Sequence, residues 1–176
     1  PIICLASSIL IFGASLTHSQ QKPILRLAET YSVALKSFES RSSRSSLEPL
    51  LKKGKAVAEK LDEMESLDEH AYARLNTMMR GFDINRNEIV YIEPDSKFFL
   101  ALARKKGRIS DIDFYALKRR LEPDNVWKAY VMPQTDYSGC TKYGSGLLTR
   151  LYGEVQQFKR KHHSAYVSEI YAESKE

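Results

Sequence analysis

The stretch "TDYSGCTKYGSG", Thr135 to Gly146, gathers a thiol, an acid, a lysine, two tyrosines, hydroxyls and three glycines. That composition suits a nucleophile, an anion cradle or a contact loop, and the spacing decides among them. Cys140 is a candidate nucleophile only if a base reaches it, because the thiolate is the reactive form. The candidate bases His162 and His163 lie about six turns, or roughly 30 Å, down the helical pattern that follows. They approach Cys140 only if that helix breaks and turns back. A phosphate loop needs a lysine directly after its second conserved glycine to reach the phosphates, and Ser145 stands there instead. The contact loop is the reading that remains. Asp136, Tyr137, Ser138, Cys140, Lys142, Tyr143 and Ser145 are its candidate binding residues. The two tyrosines offer contact area at low entropic cost, and Lys142 could join helix N–H groups on an anion or carboxylate.

Within this stretch "DYSG" resembles the Asp-Cys-Ser-Gly motif of the NlpC/P60 cysteine peptidases, a cell-wall family. That resemblance would imply a cysteine directly after the aspartate, heading a helix and activated by a histidine on a following strand. Tyr137 occupies the cysteine's place, Cys140 comes three residues later, and the sequence beyond it has a helical pattern. The match covers four residues without the nucleophile, so the family is not assigned.

Two other patterns fail on their demanding positions. "DINRNEIVYIEP" begins like a calcium loop through Asp83, Asn85 and Asn87. Glu88 then stands where the sharp turn wants glycine, and Pro94 where a bidentate glutamate belongs. It reads as a hairpin turn. "ALARKKGRISDIDFYALKRR" has the Ala103 and Gly107 spacing of a helix–turn–helix, with Lys118, Arg119 and Arg120 for phosphates. Asp113, however, sits where an apolar residue should lock the second helix. No metal-ligand spacing occurs elsewhere, and neither a metal nor a cofactor is expected.

The elements that must position these residues are mostly helical. Apolar residues at Ile24, Leu27, Ala28, Tyr31, Ala34, Leu35 and Phe38 fall three and four apart, after Pro23 at a first turn. "SRSSRSS" is a connector, and Ser46 is the expected cap of a second helix running through Leu50, Leu51, Val57 and Leu61. Gly54 should weaken that helix by about 1 kcal/mol. Ser66 and Glu69 form a capping box for a third helix. "FDI" and "EIVYIEP" predict a hairpin, Asp95 or Ser96 a cap for "KFFLALARKK", and Ser110 a cap for "DIDFYALKRRL". "VWKAYVMP" is a further strand candidate. Two amphipathic helices close the chain, the first with Leu147, Leu148, Leu151, Tyr152, Val155 and Phe158 on its apolar side. The predicted fold class is mainly α: a single helical domain of five to seven helices with a small β-hairpin or short β element.

Residues 1–21 stand apart from the predicted domain at 22–176. "PIICLASSILIFGASL" carries no charge, and the first charged side chain is Lys22. An apolar run of about 16 residues matches an export signal better than the roughly 20 of a spanning helix. A periplasmic or secreted location is therefore expected, with a retained N-terminal anchor as the alternative. Removal of the signal would take Cys4 and leave Cys140 as the only thiol, so no internal disulfide could form. The net charge of +5 is uneven: Glu59–Glu69 holds six acids and one lysine, whereas Phe98–His163 holds 13 basic and six acidic residues. A basic face suits anionic partners. The sequence thus points to a small exported binding protein, of an inhibitor, immunity or envelope-polymer-binding type. Its partner is a protein or an anionic envelope polymer. An envelope hydrolase using Cys140 is the alternative and a nucleic-acid binder the third option.

Overall fold

The structure is a computed structural model that describes residues 13–64, 67–85, 91–123, 128–129, 131–133, 139–141 and 144–173. Among these the chain forms seven helices and two hairpins. A long helix α1 (Gly13–Ser40) is followed by α2 (Glu48–Asp62) and α3 (Glu69–Met78). A first hairpin comes next, β1 (Phe82–Asn85) with β2 (Tyr91–Pro94), and then the pair α4 (Ser96–Lys106) and α5 (Ile109–Leu121). The second hairpin joins β3 (Val131–Pro133) to β4 (Gly139–Thr141), and α6 (Leu147–Lys161) and α7 (Ala165–Glu173) complete the order. Both hairpins are antiparallel, with Ile84 opposite Ile92 in one and Met132 opposite Cys140 in the other. The mainly α class with a small β element is the architecture found.

Helix α1 packs on α2, α3 and α4; α4 packs on α5, which in turn carries α6 and then α7. The face expected for α1 is the buried one: Ile24, Ala28 and Tyr31 are fully enclosed, with Leu35 and Phe38 beside them. A column of aromatic rings then crosses the core. Tyr31 meets Phe82 edge-on at 5.2 Å, Phe82 meets Phe99 at 5.4 Å, and Phe99 stacks on Tyr115 at 5.1 Å. Tyr115 meets Phe114 edge-on at 4.8 Å, and Phe114 stacks on Tyr166 at 4.0 Å. Such ring pairs add about 0.5–1.5 kcal/mol each beyond their buried area. The column ties α1, β1, α4, α5 and α7 into one core.

The helix starts differ from the expected ones for identifiable reasons. Helix α1 begins ten residues before Pro23 and carries that proline inside it. The turn upstream is held from outside the helix, because buried Gln21 hydrogen-bonds the Asp68 carboxyl at the start of α3. Asp68 rather than Ser66 is the N-cap of α3, accepting from Ala71 N–H at 2.7 Å; Ser66 lies outside the described residues. Ser46 Oγ does accept from Glu48 N–H at 3.2 Å, although the N-cap position is Leu47. Helix α5 starts at Ile109, ahead of Ser110, because Asp111 turns back to accept from Arg108 N–H at 2.6 Å. Asp95 caps α4 as expected, accepting from Lys97 N–H at 2.8 Å.

On α6 the burial is narrower than the apolar pattern. Leu151, Val155 and Phe158 are buried, whereas Leu148 and Tyr152 are exposed. At 100° per residue both exposed side chains fall on the same flank of the buried stripe, outside the part that α5 and α7 cover.

Candidate functional site

The contact loop of the sequence reading is only partly described. Asp136, Tyr137, Ser138, Lys142 and Tyr143 lie outside the described residues. Cys140 is exposed at the centre of β4, so part of the expected loop is strand. Ser145 Oγ accepts from Leu147 N–H at 3.3 Å, beside Gly146, the N-cap of α6 at φ 69°. That is the turn-and-cap role open to any Gly/Ser lead-in. The stretch from Asp83 to Pro94, expected to be a hairpin, contributes both strands of the first one: Asp83 and Asn85 sit in β1 and pair with Glu93 and Tyr91, whereas Asn87 and Glu88 lie outside the described residues. Among the described residues no cluster of histidines, cysteines and carboxylates could hold a metal ion. Nor is any helix among them long and apolar enough to cross a membrane.

His162, one of the two candidate bases, is engaged elsewhere. Its Nε2 lies 2.8 Å from Asp113 Oδ2, and its ring packs on Phe158 at 4.7 Å. Lys161 Nζ donates to the same oxygen at 2.6 Å. Partial burial pushes the Asp113 carboxyl up, but the two bonds and their charges outweigh it and hold the group below its ordinary value. Asp113 therefore pins the C-terminal end of α6 to the first turns of α5. Its failure to be apolar, which counted against a helix–turn–helix, has this explanation.

Two further polar clusters are buried. Asp111, fully enclosed, accepts from Leu47 N–H at 3.0 Å, Arg108 N–H at 2.6 Å and the Tyr166 hydroxyl at 2.6 Å. It joins the start of α2, the start of α5 and α7 in one knot. Burial first, and then the neighbouring hydroxyl and carboxyl groups, push the Tyr166 hydroxyl far above its ordinary value. The second cluster is Glu122, which accepts from Lys118 at 2.7 Å and Lys128 at 2.5 Å. Burial pushes Glu122 up, but the two ammonium groups outweigh it and hold it below its ordinary value. This triad forms part of the wall of a groove of about 310 Å³, whose rim carries Lys55, Glu59, Asp62 and Glu93. Mixed charges on the rim leave the groove without a clear sign.

A one-signed surface forms instead at the turn between α4 and α5. The 41–47 connector folds onto this turn through four contacts. Arg44 donates to Gly107 C=O at 2.8 Å and to Arg104 C=O at 3.2 Å, Ser45 N–H donates to Lys106 C=O at 2.9 Å, and Lys106 Nζ donates to Arg41 C=O. Arg44 thereby satisfies carbonyls at the C-terminal end of α4, where cations are favoured. Gly107 ends α4 with its Cα against Ala103, where an added Cβ would sit 2.7 Å from the Ala103 Cα. The chain must turn sharply there, and the basic residues flanking the turn are carried to the surface. Arg41, Arg44, Arg104, Lys105, Lys106 and Arg108 come together, and among the described residues none of the six forms an ion pair. The second run lies within the basic region of the sequence, but no local pattern joins the first run to it. The usable signal was that "SRSSRSS" and "ARKKGR" each lie at a helix end. Compared with profiles of protein families, with curated proteins and with solved structures, the chain has no match, so its functional reading rests on this geometry.

Proposed function

We propose that the protein is a small binding protein of the cell envelope that holds an anionic partner on the basic corner formed by the 41–47 connector and the α4–α5 turn. The observation that carries the reading is the convergence of six cations from segments some sixty residues apart, with no carboxylate paired to them among the described residues. Clustered cations concentrate a polyanion by long-range attraction and bind it by releasing its counterions. Export is supported by the uncharged apolar run that opens the sequence. The Asp136–Gly146 loop keeps the role of a second contact surface, with the exposed Leu148 and Tyr152 just beyond it.

The test is binding of a soluble polyanion, polyphosphate, followed by fluorescence anisotropy across a salt series. Affinity is expected to fall steeply with salt, and the triple variant Arg104→Gln, Lys105→Gln, Arg108→Gln should flatten the slope by about one unit per cation removed. These three side chains are exposed, so their loss leaves the fold intact. Binding that ignores salt and the triple variant alike would overturn the reading.

A further inference from the structure

We propose that the anionic partner of the basic corner is a lipid surface, engaged by the six cations together with Ile109 as an inserting side chain. The inference rests on the binding role just assigned to the corner and names the partner.

Ile109 is the most exposed of the large hydrophobic side chains described, at 67%. It directly follows Arg108 as the first residue of α5, at the tip of the α4–α5 corner. A soluble polyanion offers nothing to an exposed aliphatic group, whereas a bilayer offers charge at its headgroups and hydrocarbon just beneath them. The carboxylate near the same side chain is already paired. Asp113 lies one turn along α5 from Ile109, on the same face. It holds Lys161 and His162, so the end of α6 with exposed Arg160 adjoins that face. Asp113 is the carboxylate nearest along this face, and Lys161 neutralises it. The result is an apolar tip beside the six cations, with Asp113 already neutralised.

The position of the corner is consistent with a separate membrane contact. Arg41 follows the C-terminal end of α1, and a 28-residue helix is about 40 Å long at 1.5 Å per residue. The corner is thus at the opposite end of α1 from Gly13. A single weak membrane signal gives only reversible binding, and a polybasic patch is a common second one.

The experiment is co-sedimentation of the full chain with phosphatidylcholine vesicles, with and without about one third phosphatidylglycerol. Any binding by the N-terminal segment is common to both vesicle types and to every variant, so the difference between the two vesicles is the readout. The expected result is tighter binding to the anionic vesicles, weakened roughly five-fold per cation removed and so about a hundred-fold in the triple glutamine variant. Ile109→Ser should weaken it by about ten-fold and leave polyphosphate affinity unchanged. Vesicle binding indifferent to phosphatidylglycerol, or unchanged in Ile109→Ser, would overturn the lipid assignment. The two proposals fail separately: polyphosphate binding that is salt-sensitive and lost in the triple variant keeps the basic corner as a binding site even when the lipid assignment falls.

Discussion

At the scale of single residues, two buried hydroxyl-bearing rings lie one aromatic contact apart and have opposite hydrogen-bonding status. Tyr166 donates to Asp111, whereas the Tyr115 hydroxyl, equally enclosed, has no hydrogen-bond partner among the described residues. Asp111 accepts three bonds, two of them from backbone groups that start α2 and α5. Truncating a buried acceptor strands its donors without solvent, and each bond to a charged group is worth about 1.5–3 kcal/mol. Asp111→Ala is therefore expected to lower unfolding stability by roughly 3 kcal/mol or more. Tyr115→Phe should change it by less than about 1 kcal/mol, because it removes a buried hydroxyl that no described group satisfies. Urea denaturation of the two variants checks the contrast. A Tyr115→Phe variant as damaged as Asp111→Ala would mean that this hydroxyl has an unseen partner. Nothing in the sequence distinguished Asp111 from the other acids in its region, since its role depends on Leu47 and Tyr166 arriving from far along the chain.

At the scale of elements, the helices were legible because a 3.6-residue period of apolar side chains is a local property. The α1 face from Ile24 to Phe38, the Asp95 cap and the hairpin after Phe82 all belong to that local kind of signal. Helix starts shifted where a carboxylate rather than the expected hydroxyl took the cap, Asp68 at α3 and Asp111 at α5, and at α1 where Gln21 reaches the distant Asp68. Gly54 shows the same limit in reverse. Local propensity counts it as a flaw in α2, but the Phe82 ring of β1 lies directly over its backbone. A Cβ built there would fall 2.0 Å from the ring edge. Gly54→Ala gains about 1 kcal/mol of helix propensity, yet forces Phe82 out of contacts with Tyr31 and Phe99. Overpacking of this kind costs about 1–3 kcal/mol, so a net loss of stability is expected. Thermal melts of the alanine variant check it, and a raised melting temperature would show that the ring relocates without cost.

At the scale of the whole molecule, the basic corner was the feature least visible in the sequence. Among the described residues its two halves are joined by bonds such as Arg44 to Gly107, which span most of the distance between α1 and α5 along the chain. The acids, by contrast, are drawn into pairs that hold elements together. Glu122 joins α5 to Lys128 beyond it, and Asp113 joins α5 to α6. Both carboxyl groups sit below their ordinary values of 4.5 and 3.8 in the folded chain. A carboxyl depressed by folding contributes stability that is fully present above its unfolded value and disappears as pH falls through its folded value. Stability is therefore expected to hold from neutral pH down to about pH 5 and then decline on further acidification. Asp113 is half-exposed to solvent and screened, so Glu122 should dominate the decline. Glu122→Gln provides the decisive comparison. It leaves Lys118 and Lys128 without their shared carboxylate and should cost roughly 3 kcal/mol at neutral pH, the usual cost of removing one partner from a buried pair. Because the glutamine does not titrate, that deficit should narrow as the parent protein is acidified. Unfolding free energies measured by urea at several pH values would reveal the convergence. Two curves that stay parallel into acid would mean that another carboxyl group governs acid unfolding and that the buried triad is not the acid-sensitive joint of this fold.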